Sequence, residues 1–322
     1  MSINLPTFVS CLRAAALGPA EELAAGLMQP AAAIAPKFLY DSLGSALFAA
    51  ITQLDEYYPT RTEAAIFAAG QREMAQALHT RLAPGFTLVD LGAGDGAKAA
   101  GLFEALQPGR YVAVDISEPY LRLALTALQQ RFPALPMTGV GLDFAASLQL
   151  PAGLVNGPAL VFYPGSSIGN FGPDEALRLL AQARAASQGG ALLIGADLMK
   201  PPPLLQAAYD DALGVTAAFN LNLLRNVNHL LRSDFDVADW SHVARVNVPL
   251  GRVEMHLQAR RALAVRWPGG ERRFEAGEGV HTENSHKWKA ATFEALLRDA
   301  GWRDVRRYTD SRGWFGVFLA FA

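Results

Sequence analysis

The chain has 322 residues, of which 51% are hydrophobic and 18% charged, and this composition excludes an intrinsically disordered protein. Its 28 basic and 30 acidic residues give a formal net charge of −2, without the basic excess that nucleic-acid-binding domains usually carry. The single cysteine, Cys11, excludes an intrachain disulfide and argues against a cysteine-based zinc site.

The first sixty residues predict helices rather than strands. Residues 1–35 are rich in alanine, and residues 49–54 repeat their apolar side chains with helical spacing. Pro59 interrupts the helical pattern, and Thr62 is predicted to cap a helix that continues to about Leu82. We expect this region to form a helical preface to a sheet, or a lid.

A strand, a glycine turn and a helix are predicted between Phe86 and about Leu106. The apolar run ends at Leu91, and glycines alternate with other residues over Gly92–Gly96 before the helical pattern begins. Glycines let the backbone turn tightly and approach a ligand closely, and the helix N-terminus offers unpaired N–H groups. The pattern is typical of the first crossover in a nucleotide-binding α/β sheet.

An acidic residue, Asp115, ends the next predicted strand. It lies about twenty positions after Gly94, where such folds place the carboxylate that binds a ribose diol. The turn and the acid together indicate a nucleotide-like cofactor. They do not distinguish a dinucleotide from S-adenosylmethionine.

The rest of the chain predicts an α/β domain interrupted by an insertion. The α/β alternation of residues 86–197 stops at a proline-rich junction, and residues 200–286 predict helices followed by antiparallel strands. A helix and two strands follow the insertion. We therefore predict an α/β fold with a Rossmann-like sheet of seven strands and an α+β second domain. The predicted domains are residues 61–199 with 287–322, and residues 1–60 with 200–286.

Eight short motifs occur together and in order along the chain. Together they resemble the histidine-specific Nα-methyltransferases of ergothioneine biosynthesis, from about Pro36 to the end. The motifs are Tyr40–Ser45, Glu56–Glu63, Phe162–Phe171, Tyr209–Asp211, Gly214–Asn220, Asp234–Asp236, Val253–Met255 and His281–Ser285.

The resemblance implies an enzyme that trimethylates the α-amine of L-histidine to hercynine with S-adenosylmethionine. It also implies that the first predicted domain binds the cofactor and the second the substrate. The chain departs from the family pattern at its glycine turn, at Asp90, where glutamate is common, and at Asn284, where a small apolar residue is common.

Residue roles follow from the resemblance. Tyr40 and Asn170 are expected at the methyl-transfer centre, with Tyr40 also near the cofactor. The expected cofactor-binding residues are Tyr40, Gly92, Gly94, Lys98, Asp115, Asp143 and Phe144. The expected substrate-binding residues are Tyr57, Gly165, Asn170, Tyr209, Met255, Glu283 and Ser285.

The residue types suit these roles. Tyrosine hydroxyls and an asparagine amide donate to an amino-acid carboxylate, and Glu283 and Ser285 are able to meet the two ring nitrogens of an imidazole. The segment from His281 to His286 also resembles a metal-binding pattern, but it lacks the partner cysteines of a zinc deaminase and the His-Glu-x-x-His of a protease. We expect no metal.

Three alternatives remain open on sequence grounds. They are an N-methyltransferase for another amino acid or small amine, a dinucleotide-dependent oxidoreductase, and a non-catalytic amino-acid or betaine binder. Lys98 directly after the glycine turn disfavours the oxidoreductase. Because neither a signal-peptide pattern nor an apolar run of about 18 residues occurs, we expect a cytoplasmic protein without membrane partners. We also expect a monomer without nucleic-acid partners.

Overall fold

The computed structural model describes residues 4–12 and 18–322. Its strands are β1 (Thr7–Ser10), β2 (Thr87–Leu91), β3 (Arg110–Asp115), β4 (Met137–Gly141), β5 (Ala159–Tyr163), β6 (Ala191–Asp197), β7 (Trp240–Asn247), β8 (Arg252–Ala259), β9 (Leu263–Trp267), β10 (Gly270–Phe274), β11 (Gly279–His286), β12 (Arg303–Thr309) and β13 (Phe315–Phe321). Its helices are α1 (Pro19–Leu27), α2 (Ser42–Ile51), α3 (Tyr58–His79), α4 (Ala97–Ala100), α5 (Phe103–Leu106), α6 (Glu118–Arg131), α7 (Pro173–Ala186), α8 (Pro202–Tyr209), α9 (Val215–Leu231) and α10 (Ala290–Asp299).

The described chain divides into two compact units. The first unit contains residues 4–12, Thr62–Leu198 and Trp288–Ala322, and the second contains residues 18–61 and Met199–Lys287. The second unit therefore contains the predicted insertion together with most of the N-terminal segment. Residues 4–12 differ from the expectation, because they lie in the first unit.

One sheet organises the first unit, with strand order β1-β4-β3-β2-β5-β6-β13-β12. Strands β1 to β6 pair in parallel, whereas β13 runs antiparallel to both β6 and β12. The α/β class and the final antiparallel pair are confirmed. The prediction of seven strands is wrong, because β1 adds an eighth strand at the β4 edge.

Strand β1 forms in a region that the alanine content predicted to be helical. Its sequence, Thr-Phe-Val-Ser, is β-branched and aromatic, and Thr7 pairs with Thr138 of β4 through a hydroxyl contact of 2.9 Å. Phe8 packs where Gly139 has no side chain, since a Cβ there would lie 2.7 Å from its ring. Contacts with β4 thus override local helix propensity. The alanine-rich residues 13–17 lie outside the described residues.

The core of the first unit lies on both faces of this sheet. All five residues of β5 are buried, as expected for a central parallel strand covered on both sides. One side is closed by apolar residues of helices α3 to α6, and the other by α7 and α10. This packing fixes the ends of β2 to β5, where the loops with polar residues begin.

The second unit combines helices with two small antiparallel sheets. Its larger sheet has the order β11-β8-β7, and its smaller one pairs β10 with β9. Strand β8 alternates half-buried and buried residues along its length, so it has one outward and one inward face. Helix α9 packs against β7 and β8 with five of its apolar side chains buried.

Helix α3 begins at Tyr58 rather than at the predicted cap, Thr62. Pro59 is the second residue of the helix, where its missing N–H costs no hydrogen bond. The proline therefore starts the helix instead of breaking it. Within residues 4–12 and 18–322, none of the helices has the length and apolar character that a membrane span requires.

Candidate active site

The glycine turn, Asp115 and Asp143 lie at one edge of the first unit's sheet. Strands β4, β3, β2 and β5 are neighbours and run in parallel, so their carboxyl ends meet at the same edge. Ligands of such sheets bind outside this edge. The structure therefore brings together the predicted cofactor-binding residues of β2, β3 and β4 within one unit.

The turn after β2 depends on glycine conformations. Gly92, Gly94 and Gly96 all have positive φ angles, between 56° and 69°, which other residues rarely adopt. The N–H of Gly94 donates to Oδ2 of Asp115 over 3.0 Å. A Cβ on Gly96 would lie 3.1 Å from the hydroxyl of Tyr111. The turn is thus tied to β3 by one carboxylate and packed against it at one glycine.

Asp115 keeps acceptor capacity for a ligand. Its Oδ1 accepts the N–H of Ser117 over 2.9 Å, and its Oδ2 accepts that of Gly94. A carboxylate has about four acceptor sites, so each oxygen retains one. Ser117 takes the N-cap position of α6, but its side chain makes no capping hydrogen bond.

Phe144 presents its ring beside the glycine turn. The ring packs edge-to-face on Tyr163, with centroids 5.7 Å apart, and a Cβ on Gly92 would lie 3.8 Å from it. Asp143, which precedes it, is half-buried and follows β4 at the same edge as Asp115. This arrangement places an aromatic ring and a carboxylate, both expected to bind the cofactor, at the same edge as the glycine turn.

Glu63 is a buried carboxylate that the sequence analysis gave no role. Its Oε2 lies 2.6 Å from Nζ of Lys98, and its Oε1 accepts the N–H of Gly165 over 2.7 Å. Gly195 on β6 leaves room for it, since a Cβ there would lie 2.1 Å from Oε1. Glu63 therefore joins helix α3, the glycine-turn helix and the loop after β5. The expected contact of Lys98 with the cofactor stays a prediction.

Asp90 is a second buried carboxylate, in β2 directly before the turn. Its Oδ2 accepts the hydroxyl of Tyr111 over 2.7 Å, whereas its Oδ1 has no hydrogen-bond partner among the described residues. Burial raises the pKa of Asp90 from 3.8 to about 7, and the Tyr111 hydrogen bond and the charge of Lys98 lower it only in part. Asp90 thus has a free acceptor at the cofactor edge.

Asn170 and Gly165 lie in the loop that follows β5, in the first unit. Gly165 has a φ of 81°, and Asn170 ends a 3₁₀ turn over Ser167–Asn170. The hydroxyl of Ser166 accepts the N–H of Asp197 over 2.8 Å, which fixes the start of this turn against β6. Two of the predicted substrate-binding residues therefore lie in the same unit as the cofactor-binding residues.

The other predicted substrate-binding residues lie in the second unit, where aromatic contacts connect several of them. The ring of Tyr40 lies 5.6 Å from that of Phe48, which lies 6.2 Å from that of Tyr57. Tyr57 in turn lies 6.3 Å from the ring of Tyr209. Phe219 of α9 packs on Tyr40 at 5.5 Å. The structure thus connects Tyr40, Tyr57 and Tyr209 through edge-to-face contacts.

Strand β11 supplies polar residues, one of which contacts Tyr209. Glu283 is paired with Met255 of β8, and Ser285 lies two residues further on the same face. The hydroxyl of Tyr209 donates to that of Ser285 over 2.7 Å, and Nζ of Lys287 donates to both at 2.7 Å. Glu283, Ser285 and Lys287 are all buried. Lys287 was not predicted.

Asn284 points to the other face of β11. Its side-chain oxygen lies 2.9 Å from Nε2 of His281, and its pairing partner is Glu254, on the half-buried face of β8. Because neighbouring residues of a strand face opposite sides, Asn284 and Glu283 do not share a surface. The departure from the family pattern at Asn284 therefore lies behind the predicted substrate residues rather than among them.

His242 and Asn220 hold the backbone of Tyr209 in place. Nε2 of His242 donates to the carbonyl of Tyr209 over 2.8 Å, and its Nδ1 accepts from the amide of Asn220 over 2.9 Å. Burial lowers the pKa of His242, so the ring stays neutral in this role. Asn220 is fully buried and its amide also donates to the carbonyl of His256. The family motif ending at Asn220 was the only sequence signal for this support.

The described residues contain no group of three His, Cys, Asp or Glu side chains placed to hold a metal ion. His281 begins the segment that resembles a metal-binding pattern. It contacts Asn284 and packs its ring 5.2 Å from that of His256. Its surroundings are those of an ordinary polar strand face.

The protein belongs to the class of Rossmann-like methyltransferases. This class is indicated by the order of the strands, the final antiparallel pair, the glycine turn and Asp115. The profile of the SAM-dependent histidine-specific methyltransferases matches residues 19–322, and the chain belongs to this family. Its cofactor is therefore S-adenosylmethionine. The acceptors of Asp115 and Asp90 and the ring of Phe144 fit this cofactor.

The chain is similar to known proteins over nearly its whole length. It is 38% identical to the histidine N-alpha-methyltransferase of Mycolicibacterium smegmatis over 99% of both chains, and 39% identical to that of Mycobacterium tuberculosis over 92% of both. It is also 30% identical to ergothioneine biosynthesis protein 1 of Neurospora crassa, over 84% of this chain and 31% of that one.

The raised pKa of Asp90 predicts a specific pH dependence of stability. The folded state holds the Asp90 proton more tightly than the unfolded chain, so its contribution is greatest below about pH 4 and is lost by about pH 7. Asp90→Asn cannot ionise. Its melting temperature should therefore rise relative to that of the wild type as the pH increases from about 4 to about 8. Asp299→Asn, at an exposed carboxylate, is the control. Parallel melting curves for wild type and Asp90→Asn would contradict the prediction.

Removing Glu63 should affect both stability and cofactor binding. Glu63→Ala leaves the N–H of Gly165 without its acceptor, which costs about 1–3 kcal/mol of unfolding free energy. The lost ion pair adds little, because the side chain of Lys98 is 42% exposed. We also expect weaker binding of S-adenosylhomocysteine, since Lys98 loses the partner that holds it.

Denaturant unfolding and calorimetry measure the two effects of Glu63→Ala. Glu104→Ala, at an exposed position of α5, should change neither. An unchanged dissociation constant for S-adenosylhomocysteine in Glu63→Ala would separate Glu63 from the cofactor site.

Proposed function

We propose that the enzyme transfers three methyl groups in succession to the α-amine of L-histidine, and so forms hercynine for ergothioneine biosynthesis. The observation that carries this proposal is the buried group on the inward face of β11, in which Glu283 and Ser285 share a surface with Met255. The family membership and the full-length similarity to histidine N-alpha-methyltransferases support it.

The substrate carboxylate is proposed to bind Tyr57, Tyr209 and Asn170. Hydroxyl and amide donors bind a carboxylate without placing a further permanent charge beside the reacting amine. Tyr57 and Tyr209 already lie in edge contact in the second unit, and His242 fixes the backbone of Tyr209. Gly165 is proposed to let the substrate approach the backbone of the loop after β5.

The imidazole is proposed to bind between Glu283 and Ser285, against Met255. An imidazole presents a donor and an acceptor in its neutral form, which a carboxylate and a hydroxyl are able to match. The thioether of Met255 supplies an adaptable apolar wall for the ring. Phenylalanine would leave both polar groups unpaired, so such a pocket rejects it.

Bound S-adenosylmethionine supplies an electrophilic methyl group on its sulfonium. Gly92, Gly94, Lys98, Asp115 and the adenine-binding pair, Asp143 with Phe144, are proposed to hold it. What remains for the protein is to align the amine nitrogen with that methyl, and orientation of this kind lowers the barrier by several kcal/mol. Tyr40 and Asn170 are proposed to place the amine.

The amine must lose its proton before each transfer, and burial favours the neutral form of an amine. The final transfer creates a fixed cation, which the face of an aromatic ring stabilises. Tyr40 is the aromatic residue proposed for this role, held by Phe48 and Phe219.

A methyltransferase for another amino acid is the second candidate considered on sequence grounds. Its motive is the departure from the family pattern at Asn284, which lies between Glu283 and Ser285 in sequence. Asn284 contacts His281 on the opposite face of β11, so this motive no longer applies. Histidine therefore remains the substrate that the inward residues favour.

Mass spectrometry tests the proposed function. The enzyme is incubated with S-adenosylmethionine and histidine, and the products carrying one, two and three methyl groups are followed with time. Accumulation of the trimethylated product is expected. Absence of any methylated histidine from folded enzyme that binds S-adenosylhomocysteine would reject the proposal.

Glu283 should determine side-chain specificity. Glu283→Ala removes an acceptor for the imidazole, so kcat/KM for histidine should fall by about 100-fold or more, and far less for phenylalanine or tryptophan. The specificity ratio between histidine and the aromatic amino acids therefore narrows. A proportional loss with all three substrates would show that Glu283 supports the fold instead of contacting the ring. Glu275→Ala, at an exposed position in the loop before β11, is the matched control.

A further inference from the structure

Glu63 contacts one expected cofactor-binding residue and one expected substrate-binding residue, all within the first unit. One carboxylate oxygen lies 2.6 Å from Nζ of Lys98, and the other accepts the N–H of Gly165 over 2.7 Å. The side chain of Glu63 is 1% exposed, and a carboxylate without hydration depends on such partners. One buried group therefore connects a residue of the cofactor site to a residue of the substrate loop.

The loop that Glu63 holds is left-handed at two successive residues. Gly165 has a φ of 81° and Ser166 a φ of 60°, a region that serine rarely adopts. Residues in such conformations persist only where surrounding contacts fix them. Glu63 supplies one such contact, and the N–H of Asp197, which donates to the Ser166 hydroxyl, supplies another. Glu63 thus helps to set the path of the loop that continues to Asn170.

The ammonium of Lys98 lies beside the same loop. A Cβ on Gly165 would lie 3.0 Å from Nζ of Lys98. Among the residues that the structure describes, the only acceptor of this ammonium is Glu63, so two of its three donors remain for a ligand. A cofactor carboxylate bound by Lys98 adds a second anion to the ammonium. It restricts the movement of Lys98 and, through Lys98, of Glu63.

We propose that Glu63 is a positioning residue that couples the two binding events, so that bound cofactor strengthens histidine binding. This role rests on the proposed function of the enzyme and on the ligand contacts proposed there for Lys98 and Gly165. When the cofactor fixes Lys98 and Glu63, the loop at Gly165 is already ordered, and histidine binding has less ordering to bring about. Thermodynamic linkage requires that histidine strengthens cofactor binding by the same factor.

Calorimetry on the wild-type enzyme measures this coupling. The Kd for histidine is determined alone and with saturating S-adenosylhomocysteine, which lacks the sulfonium charge and the transferable methyl group and so limits direct effects between the ligands. Histidine should bind about fivefold or more tightly in the presence of S-adenosylhomocysteine. The same ratio should appear for S-adenosylhomocysteine with and without saturating histidine. A ratio near one in the wild type would overturn the proposal.

Glu63→Gln separates the two contacts of the carboxylate. Its amide oxygen is still able to accept the N–H of Gly165, whereas its amide nitrogen cannot accept from Lys98. The Kd for histidine alone should therefore change little, while the effect of S-adenosylhomocysteine on that Kd should disappear. Glu104→Gln, at an exposed position of α5, is the matched control and should keep the wild-type coupling. Wild-type coupling in Glu63→Gln would contradict the proposal.

Lys98→Met tests the same connection from the cofactor side. Because this change weakens the cofactor directly, S-adenosylhomocysteine is used at concentrations that saturate the variant. Coupling should be lost, and adding Glu63→Gln should reduce it no further, because the two residues act through each other. This variant also replaces Glu63→Gln if that variant does not fold, since the side chain of Lys98 is 42% exposed. Retained coupling in Lys98→Met would count against the role of Glu63.

These measurements distinguish positioning from a merely structural role. Loss of packing around Glu63 would lower the melting temperature and weaken both ligands, but it would leave the factor by which one ligand affects the other unchanged. Lys289→Met, at an exposed position, is the control for Lys98→Met and should behave as wild type.

The mass-spectrometric assay separates failure of this inference from failure of the proposed function. If the wild-type enzyme does not methylate histidine, the proposed function fails. If it does, and Glu63→Gln keeps the wild-type coupling, only the role of Glu63 is wrong.

Discussion

The hydrogen bond from the Gly94 N–H to Asp115 is the contact on which the cofactor edge depends. It joins the turn after β2 to the end of β3, so two loops share one carboxylate. Asp90 is hydrogen-bonded to Tyr111, and Tyr111 leaves little space for a side chain at Gly96. The turn therefore keeps its shape without a ligand, which limits the ordering that cofactor binding must bring about.

Buried ionic groups are used differently in the two units. In the first, Glu63 neutralises Lys98 and satisfies a backbone N–H, so most of its effect is to hold loops. In the second, Lys287 donates to the hydroxyls of Tyr209 and Ser285, and so orients their protons.

The sequence predicted the elements that local pattern determines. Strands β2 and β3 are apolar runs between turn signals, and their predicted ends at Leu91 and Asp115 agree with the structure. Strand β1 was missed because four residues in an alanine-rich segment owe their conformation to β4. Glu63 and Lys287 carried no spacing signal, since Glu63 contacts Lys98 and Gly165, and Lys287 contacts Tyr209, across long stretches of sequence. The side on which Asn284 lies could not be predicted, because adjacency to Glu283 and Ser285 along a strand does not reveal which face a residue occupies until its register is known.

The irregularity between His281 and Glu283 determines which side chains β11 turns inward. A strand repeats every two residues, so shifting its phase by one exchanges its faces completely. Thr282 is the extra residue there, because His281 pairs with His256 and Glu283 pairs with the next residue of β8, Met255. Deleting Thr282 would therefore make the pairing regular and leave Glu283 and Ser285 on the inward face. Deleting Asn284 would instead turn Ser285 to the outward face, because a strand alternates its faces residue by residue. The strand thus tolerates a change of length at its irregularity but not between its two inward polar residues.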